Sequence, residues 1–327
     1  MDEEYQNYLK LIANRSTTPP ELVDSFVKEA AGGLPNVKSR IMTGEANEVY
    51  AVETSGGEKL VVRISRGKTP QFDQEKWAID QCVARGIPVP TIRLIKHIHQ
   101  GASILSVCVQ DRLRGDTMER GNIDYWDMPD EQVRDLFRQS GELLAKIHTI
   151  PVEGLGGLNS QGHGRFSSFT DLMLEKPGQQ DEYMKMAQEL GIPGADIGRA
   201  LQLMESEGKR ITVAKPILNH GDYCGKHIMY DGNLVTGIID FGDVLGESPV
   251  FDLARWEYWF GNNKYYEWLK EGYTDKTIFG EGFDDLSRLI QLDINLGTIW
   301  WYAQEQYDRG IKQGAAKLEE LLDHYPS

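Results

Sequence analysis

The sequence predicts an α+β chain in two parts, a small β-rich N-terminal part and a larger, mainly helical C-terminal part, divided at residue 112. Three observations carry this. EVYAVET and KLVVRIS, joined by SGGE, read as a hairpin, because their apolar residues alternate or run together and the glycine pair supplies the turn. IPVPTIRLIKHIH and SILSVCVQDRL read as two further strands linked through QGA. Beyond residues 110–115 the periodicity lengthens, with Val133, Phe137, Leu144 and Ile147 on one stripe of a helix over 131–148. At 327 residues and 40% hydrophobic, the chain is long enough for two cores, 1–112 and 113–327.

MDEEYQNYLKLIANR places Tyr5, Tyr8, Leu9 and Ile12 on one helical stripe, which STTPP interrupts. ELVDSFVKEAAGG is a second amphipathic helix ending at Gly32-Gly33. The first hairpin follows, then a helix in QFDQEKWAIDQCVARG with Phe72, Trp77, Ile79 and Val83 apolar. After the next strand pair the chain is predicted mostly helical, except for two short β-rich pieces around Ile228-Met229 and Val235 to Ile239. Asp231-Gly232-Asn233 is the turn between them. There is no internal repeat or low-complexity tract.

The formal charge of -15 argues against nucleic acid as a partner, since its binders need basic stripes. It fits a solvated surface, and equally a site that receives a cationic small molecule. Cys82, Cys108 and Cys224 form no CxxC pair, so neither a disulfide framework nor a structural zinc site is expected, and a reducing compartment is. The acidic N-terminus lacks the apolar core of a signal peptide, and no apolar run is long enough to cross a bilayer. The expectation is a cytoplasmic protein without a membrane partner, a monomer or weak dimer.

The densest chemistry lies in HGDYCGKHIMYDGNLVTGIIDFGD, residues 220–243. His220, Asp222 and His227 could be an HxDxxxxH hydrolase site, but no third histidine follows at ligand spacing. Kinase-type phosphoryl transfer asks for an Asp that orients the attacking hydroxyl, a metal ligand five residues on, and an Asp after a short hairpin that holds metal against the phosphates. Asp222, His227 and Asp240 meet that spacing. No P-loop pattern and no GxSxG nucleophile elbow occur, and nothing is spaced to make Cys224 a nucleophile.

His220-Gly221-Asp222, His227, Ile239-Asp240-Phe241-Gly242-Asp243 and Asp252-Leu253-Ala254 together resemble the aminoglycoside phosphotransferase family, which includes macrolide, choline and sugar or homoserine kinases. The resemblance covers most of the chain and implies a protein-kinase-like two-lobe fold. It implies a nucleotide-binding lobe over 1–112 and a catalytic and substrate-binding lobe over 113–327. TGEANEVYAV resembles the family's phosphate-covering turn, and KLVVRIS the strand that carries a phosphate-contacting cation, here Arg63. Glu75 falls where a helix carboxylate pairs with that cation. Gln110, Asp111, Arg112 and Leu113 fall at the hinge whose backbone would meet the base of ATP or GTP. LLAKIHTI resembles a buried helix in which His148 is structural, and Asp252 is expected to brace the catalytic loop. Mg2+ is the implied cofactor, with His227 standing where the family usually has Asn, and Gly246-Glu247-Ser248-Pro249 replaces the usual GDP.

The resemblance also implies a small-molecule hydroxyl acceptor, first of all an aminoglycoside-type cation and hence an antibiotic-resistance role. Asp243, Glu247, Asp284, Asp285 and Glu305 are candidate cation contacts, and Trp256 and Trp300 candidate stacking faces, although aromatics at helical spacing more often form core. A macrolide or metabolite kinase, a non-catalytic nucleotide-binding pseudokinase and an adenylyl-transferring enzyme remain open alternatives.

Overall fold

The computed structural model describes residues 3–14, 17–41, 47–118, 128–213 and 215–325. Helices α1 (Glu3–Asn14) and α2 (Pro20–Ala31) precede strands β1 (Pro35–Ile41), β2 (Glu48–Thr54) and β3 (Lys59–Gly67). Helix α3 (Asp73–Val83) leads to β4 (Ile92–Gln100), β5 (Ser103–Asp111) and the short β6 (Asp116–Thr117). The long helix α4 (Asp130–Ile147) is followed by β7 (Gly156–Gly157), α5 (Phe169–Met173), α6 (Gln180–Leu190), α7 (Gly194–Gly208) and β8 (Ile217–Asn219). Then come the hairpin β9 (Ile228–Asp231) and β10 (Leu234–Ile238), β11 (Leu245–Glu247), and α8 (Val250–Phe260), α9 (Lys264–Gly272), α10 (Phe283–Glu305) and α11 (Asp308–Asp323).

Packing divides the chain into two compact units. The first comprises Met1–Leu136, Asn159–Gln161 and Cys224–Gly242; the second comprises Phe137–Leu158, Gly162–Tyr223 and Asp243–Ser327. These units interleave along the chain.

The first unit is built on an antiparallel sheet in the order β1-β2-β3-β5-β4. Alternation along β3 sends Leu60, Val62 and Ile64 into one core with Leu105, Val107 and Val109 of β5 and with Val23, Phe26 and Val27 of α2. The i, i+3, i+4 spacing of those three α2 residues makes the stripe that covers the sheet. The same alternation turns Arg63 to the opposite face, paired in register with Val49 and Cys108. Buried Glu48 ties the segment ahead of α2 to the sheet by accepting from Thr18 N (2.9 Å), Thr18 Oγ1 (2.7 Å) and Arg66 Nη1 (2.9 Å). A second small sheet, β10-β9-β6, carries the hairpin. Its register sets Ile238 against Ile228 and Gly237 against Met229, and Gly232 turns the chain with φ +61°.

The second unit is helical around α10, whose 23 residues bury Leu289, Ile290, Leu292, Leu296 and Ile299 among α6, α7 and α11. It also holds a three-stranded sheet, β7-β11-β8, which the sequence reading missed along with β1. Among the described residues, no helix is long and apolar enough to cross a membrane.

Candidate active site

The first unit gathers Arg63, Glu75, His227 and Asp240. Arg63 is 5% exposed and lies with its guanidinium carbon 5.2 Å from the Phe72 ring centroid. Its Nη1 donates to Glu75 Oε1 in the first turn of α3, and its Nη2 to Asp240 Oδ1 at 2.5 Å. Burial alone would lower the Arg63 pKa, but Asp240 and Glu75 outweigh it and raise it, so the guanidinium stays charged. Burial raises the Glu75 carboxyl; Arg63 opposes that and the charge of Asp240 adds to it.

Asp240 follows β10 with φ +65°, a left-handed conformation that Asp tolerates better than most residues. Its Oδ2 lies 3.4 Å from His227 Nε2, while His227 Nδ1 faces Cys224 Sγ at 3.6 Å. The hairpin register explains the meeting, for Ile239 N donates to His227 O at 2.9 Å. A carboxylate oxygen and an imidazole nitrogen facing one another form a donor set that fits a divalent ion taking both oxygen and nitrogen ligands.

The hinge span Gln110 to Leu113 lies at the end of β5. Gln110 is buried, and Asp111 N and Arg112 N donate to Thr91 O and Lys59 O, both at 2.9 Å. The amides of Asp111 and Arg112 are therefore committed within the protein. Of the expected phosphate-covering stretch TGEANEVYAV, residues 43–46 lie outside the described residues.

The second unit holds Asp222. Its loop is fixed by Asp252 of α8, which accepts from His220 N (2.8 Å), Gly221 N (2.9 Å) and His148 Nε2 (3.1 Å). Burial alone would raise the Asp252 carboxyl, but His148 and His220 outweigh it and hold it below its ordinary value. His148 also meets Tyr273 Oη at 2.8 Å, the structural role expected of it. Gly221 has φ +83°, and a Cβ there would stand 1.9 Å from Asp243 O, so only glycine threads the chain between His220 and Asp222. Sequence reasoning missed Arg255, whose Nε and Nη2 donate to Asp222 Oδ1 at 3.2 and 3.1 Å. The available signal was its position three residues after Asp252, on the same helical face.

Two expected acceptor contacts are placed otherwise. Trp256 is core, edge-on to Phe137 at 5.8 Å and tilted on Phe260 at 5.1 Å, because it lies on the buried side of α8 with Leu253. Glu247 is 1% exposed, and burial, with Asp293 adding to it and Ser248 N opposing it, pushes its carboxyl up to about 8. It is therefore mostly protonated at neutral pH and is not an ionised surface contact. Trp300 is half-buried and tilted against Tyr183 at 5.2 Å, Glu305 is half-buried at the end of α10, and Asp243 is exposed within 4.0 Å of Arg255.

With this geometry established, comparison supplies the class. Residues 39–284 match the model of the phosphotransferase enzyme family, APH, and the chain belongs to that family; it is a kinase-type phosphotransferase. It is 17% identical over 247 residues to hygromycin-B 4-O-kinase of Escherichia coli, covering 73% of this chain and 68% of that one. Among solved structures it is similar to a thermostable mutant of aminoglycoside phosphotransferase APH(4)-Ia in ternary complex with ADP and hygromycin B. There the TM-score is 0.75 at 16% identity, over 93% of this chain and 99% of that one. It is also similar to a putative fructosamine-3-kinase from Thermobifida fusca, with TM-score 0.64 at 17% identity over 91% and 98% of the two chains. The fold is thus the protein-kinase-like one, a small sheet-bearing part and a larger helical part.

Two outcomes follow. Gly221→Ala should lower the melting temperature and cut turnover roughly 10-fold or more, because the loop must shift by tenths of an ångström or more to relieve the overlap; calorimetry and a rate assay check both. Glu247→Gln should change the pH dependence of stability. The folded pKa of about 8 lies above the ordinary carboxyl value of 4.5, so the Glu247 contribution is full below 4.5 and is lost as pH rises through 8. The glutamine variant should gain melting temperature relative to wild type at pH 8 compared with pH 5, and a gap independent of pH would contradict the assignment.

Proposed function

We propose that the protein transfers the γ-phosphoryl group of ATP or GTP to a hydroxyl of an aminoglycoside-type cationic molecule, with Mg2+ as cofactor and antibiotic resistance as the role in a cytoplasmic setting. The observation that carries the phosphotransfer chemistry is the buried Arg63 gripped by Glu75 and Asp240, with His227 beside Asp240. The aminoglycoside class is supported by the likeness to hygromycin-B 4-O-kinase and by the net charge of -15.

In this reading residues 1–112 supply the nucleotide lobe. Arg63 steadies the phosphates while Glu75 keeps the guanidinium in place, and the backbone of 110–113 meets the base. Asp240 and His227 hold the metal, which when bound would offset phosphate charge. Asp222 accepts a hydrogen bond from the acceptor hydroxyl, turns its oxygen toward phosphorus and takes its proton as the new O–P bond forms. The main contribution is positioning and charge compensation rather than covalent catalysis. Asp243, Trp300 and Glu305 remain acceptor candidates. The fold shared with a putative fructosamine-3-kinase favours a metabolite kinase as the second reading.

The test is product detection by mass spectrometry with ATP or GTP, Mg2+ and a panel holding hygromycin B, other aminoglycosides, macrolides and sugar or amino alcohols. Transfer to cationic aminoglycosides is expected, and transfer to uncharged alcohols alone would favour the second reading. Asp222→Asn should lower turnover roughly 100-fold or more with nucleotide affinity nearly unchanged. Asp240→Asn, which keeps a residue tolerant of positive φ, should weaken magnesium-nucleotide binding and abolish transfer. Normal turnover in either folded variant would remove that residue from its role.

A further inference from the structure

Helix α8 engages the catalytic loop twice from one face. In its first turn Asp252 takes the amides of His220 and Gly221; three residues later Arg255 takes the Asp222 carboxylate. Both Arg255 donors converge on one oxygen, Oδ1, and Asp243 Oδ2 stands 4.0 Å from Nη2. The Arg255 side chain is 23% exposed and that of Asp222 33%, so water screens the pair only in part. One rigid element therefore fixes both the backbone that presents Asp222 and the torsions of its side chain.

We propose that Arg255 is the positioning residue for the acceptor step: it locks the Asp222 carboxylate in its working rotamer for the acceptor hydroxyl. The proposal rests on the reading of Asp222 as the hydroxyl-orienting group. In the transfer, the acceptor O–P bond forms, the P–O bond to the leaving nucleoside diphosphate breaks, and the hydroxyl proton passes to Asp222. Arg255 exchanges no proton, since a guanidinium remains protonated throughout. Its part is geometric and electrostatic: two charge-assisted hydrogen bonds on one oxygen restrict a side chain that would otherwise sample several rotamers. Lysine could supply the charge but not the planar pair of donors. Asp243 adds a second negative charge that the same guanidinium offsets.

The experiment follows phosphate release from MgATP with water as acceptor, and transfer to hygromycin B, in wild type, Asp222→Asn, Arg255→Ala, Arg255→Lys and the Asp222→Asn/Arg255→Ala double variant. ATP binding is read by calorimetry. Arg255→Ala should lower kcat roughly 10- to 100-fold with the KM for ATP within about twofold, since a misplaced catalytic group costs rate rather than nucleotide affinity. Arg255→Lys should recover part of the rate, and added methylguanidine should recover part in Arg255→Ala but none in Asp222→Asn. The double variant should be no slower than Asp222→Asn alone, because both changes disable one unit. Normal turnover in Asp222→Asn would overturn the reading of Asp222 and the inference with it. A slow Asp222→Asn beside an Arg255→Ala within about twofold of wild type would overturn the inference alone. A slow Arg255→Ala with a lowered melting temperature and no rescue by lysine or methylguanidine would assign Arg255 a structural role and equally overturn it.

Discussion

One buried guanidinium organises the first unit. Removing Arg63 from water carries a desolvation cost of several kcal/mol, and the fold meets it only by bringing two carboxylates to the same group. Glu75 comes from α3 and Asp240 from two residues beyond β10, so the pair ties the central strand, the helix beside it and the end of the hairpin to one charge. Asp240 reaches it in a left-handed backbone conformation, the kind of local strain that persists where surrounding contacts over-determine it. Loss of either carboxylate would leave the guanidinium under-compensated, and loss of the guanidinium would leave buried Glu75 without its cation. The same charge arrangement suits a polyphosphate and its metal, since Asp240 also faces His227.

The second unit solves a different problem, the presentation of Asp222 on an irregular loop. Here the anchor is Asp252, whose two oxygens collect backbone amides and an imidazole while Tyr273 holds that imidazole from its far side. A carboxylate so fully hydrogen-bonded keeps its charge despite burial, and the loop inherits the rigidity of α8. Tyr223 adds a further tether by donating to Ser140 O of α4 at 2.7 Å. Both units thus use a buried charge to hold short polar segments that regular secondary structure does not reach.

Much of this was legible in the sequence, and the parts that were not have physical causes. The SGGE and QGA turns, the hairpin at 228–238 and the helices around Glu75 and Leu144 follow from period and turn chemistry. Spacing singled out Asp222, His227 and Asp240, and the family resemblance pointed to Arg63 and Glu75, to a structural His148 and to Asp252 as a brace of the loop. β1 escaped because PNVKSRI is an edge strand with half-buried Lys38 and Arg40, exposed Val37 and Ile41, and little apolar alternation. The strands β7, β8 and β11 are two or three residues long, too short for a period to show. Arg255 was hidden within an aromatic run, and Glu247 and Trp256 looked like ligand contacts because a linear sequence does not show which side of an element is buried.

The central claim is that Arg63, held by Glu75 and Asp240, forms the phosphate end of a nucleotide site. The most direct measurement is calorimetric titration of MgATP into wild type and Arg63→Gln, with circular dichroism confirming that the variant is folded. The account predicts at least roughly 10-fold weaker binding in the folded variant, the loss of one charge-assisted phosphate contact. Equal affinity in the two proteins would contradict it.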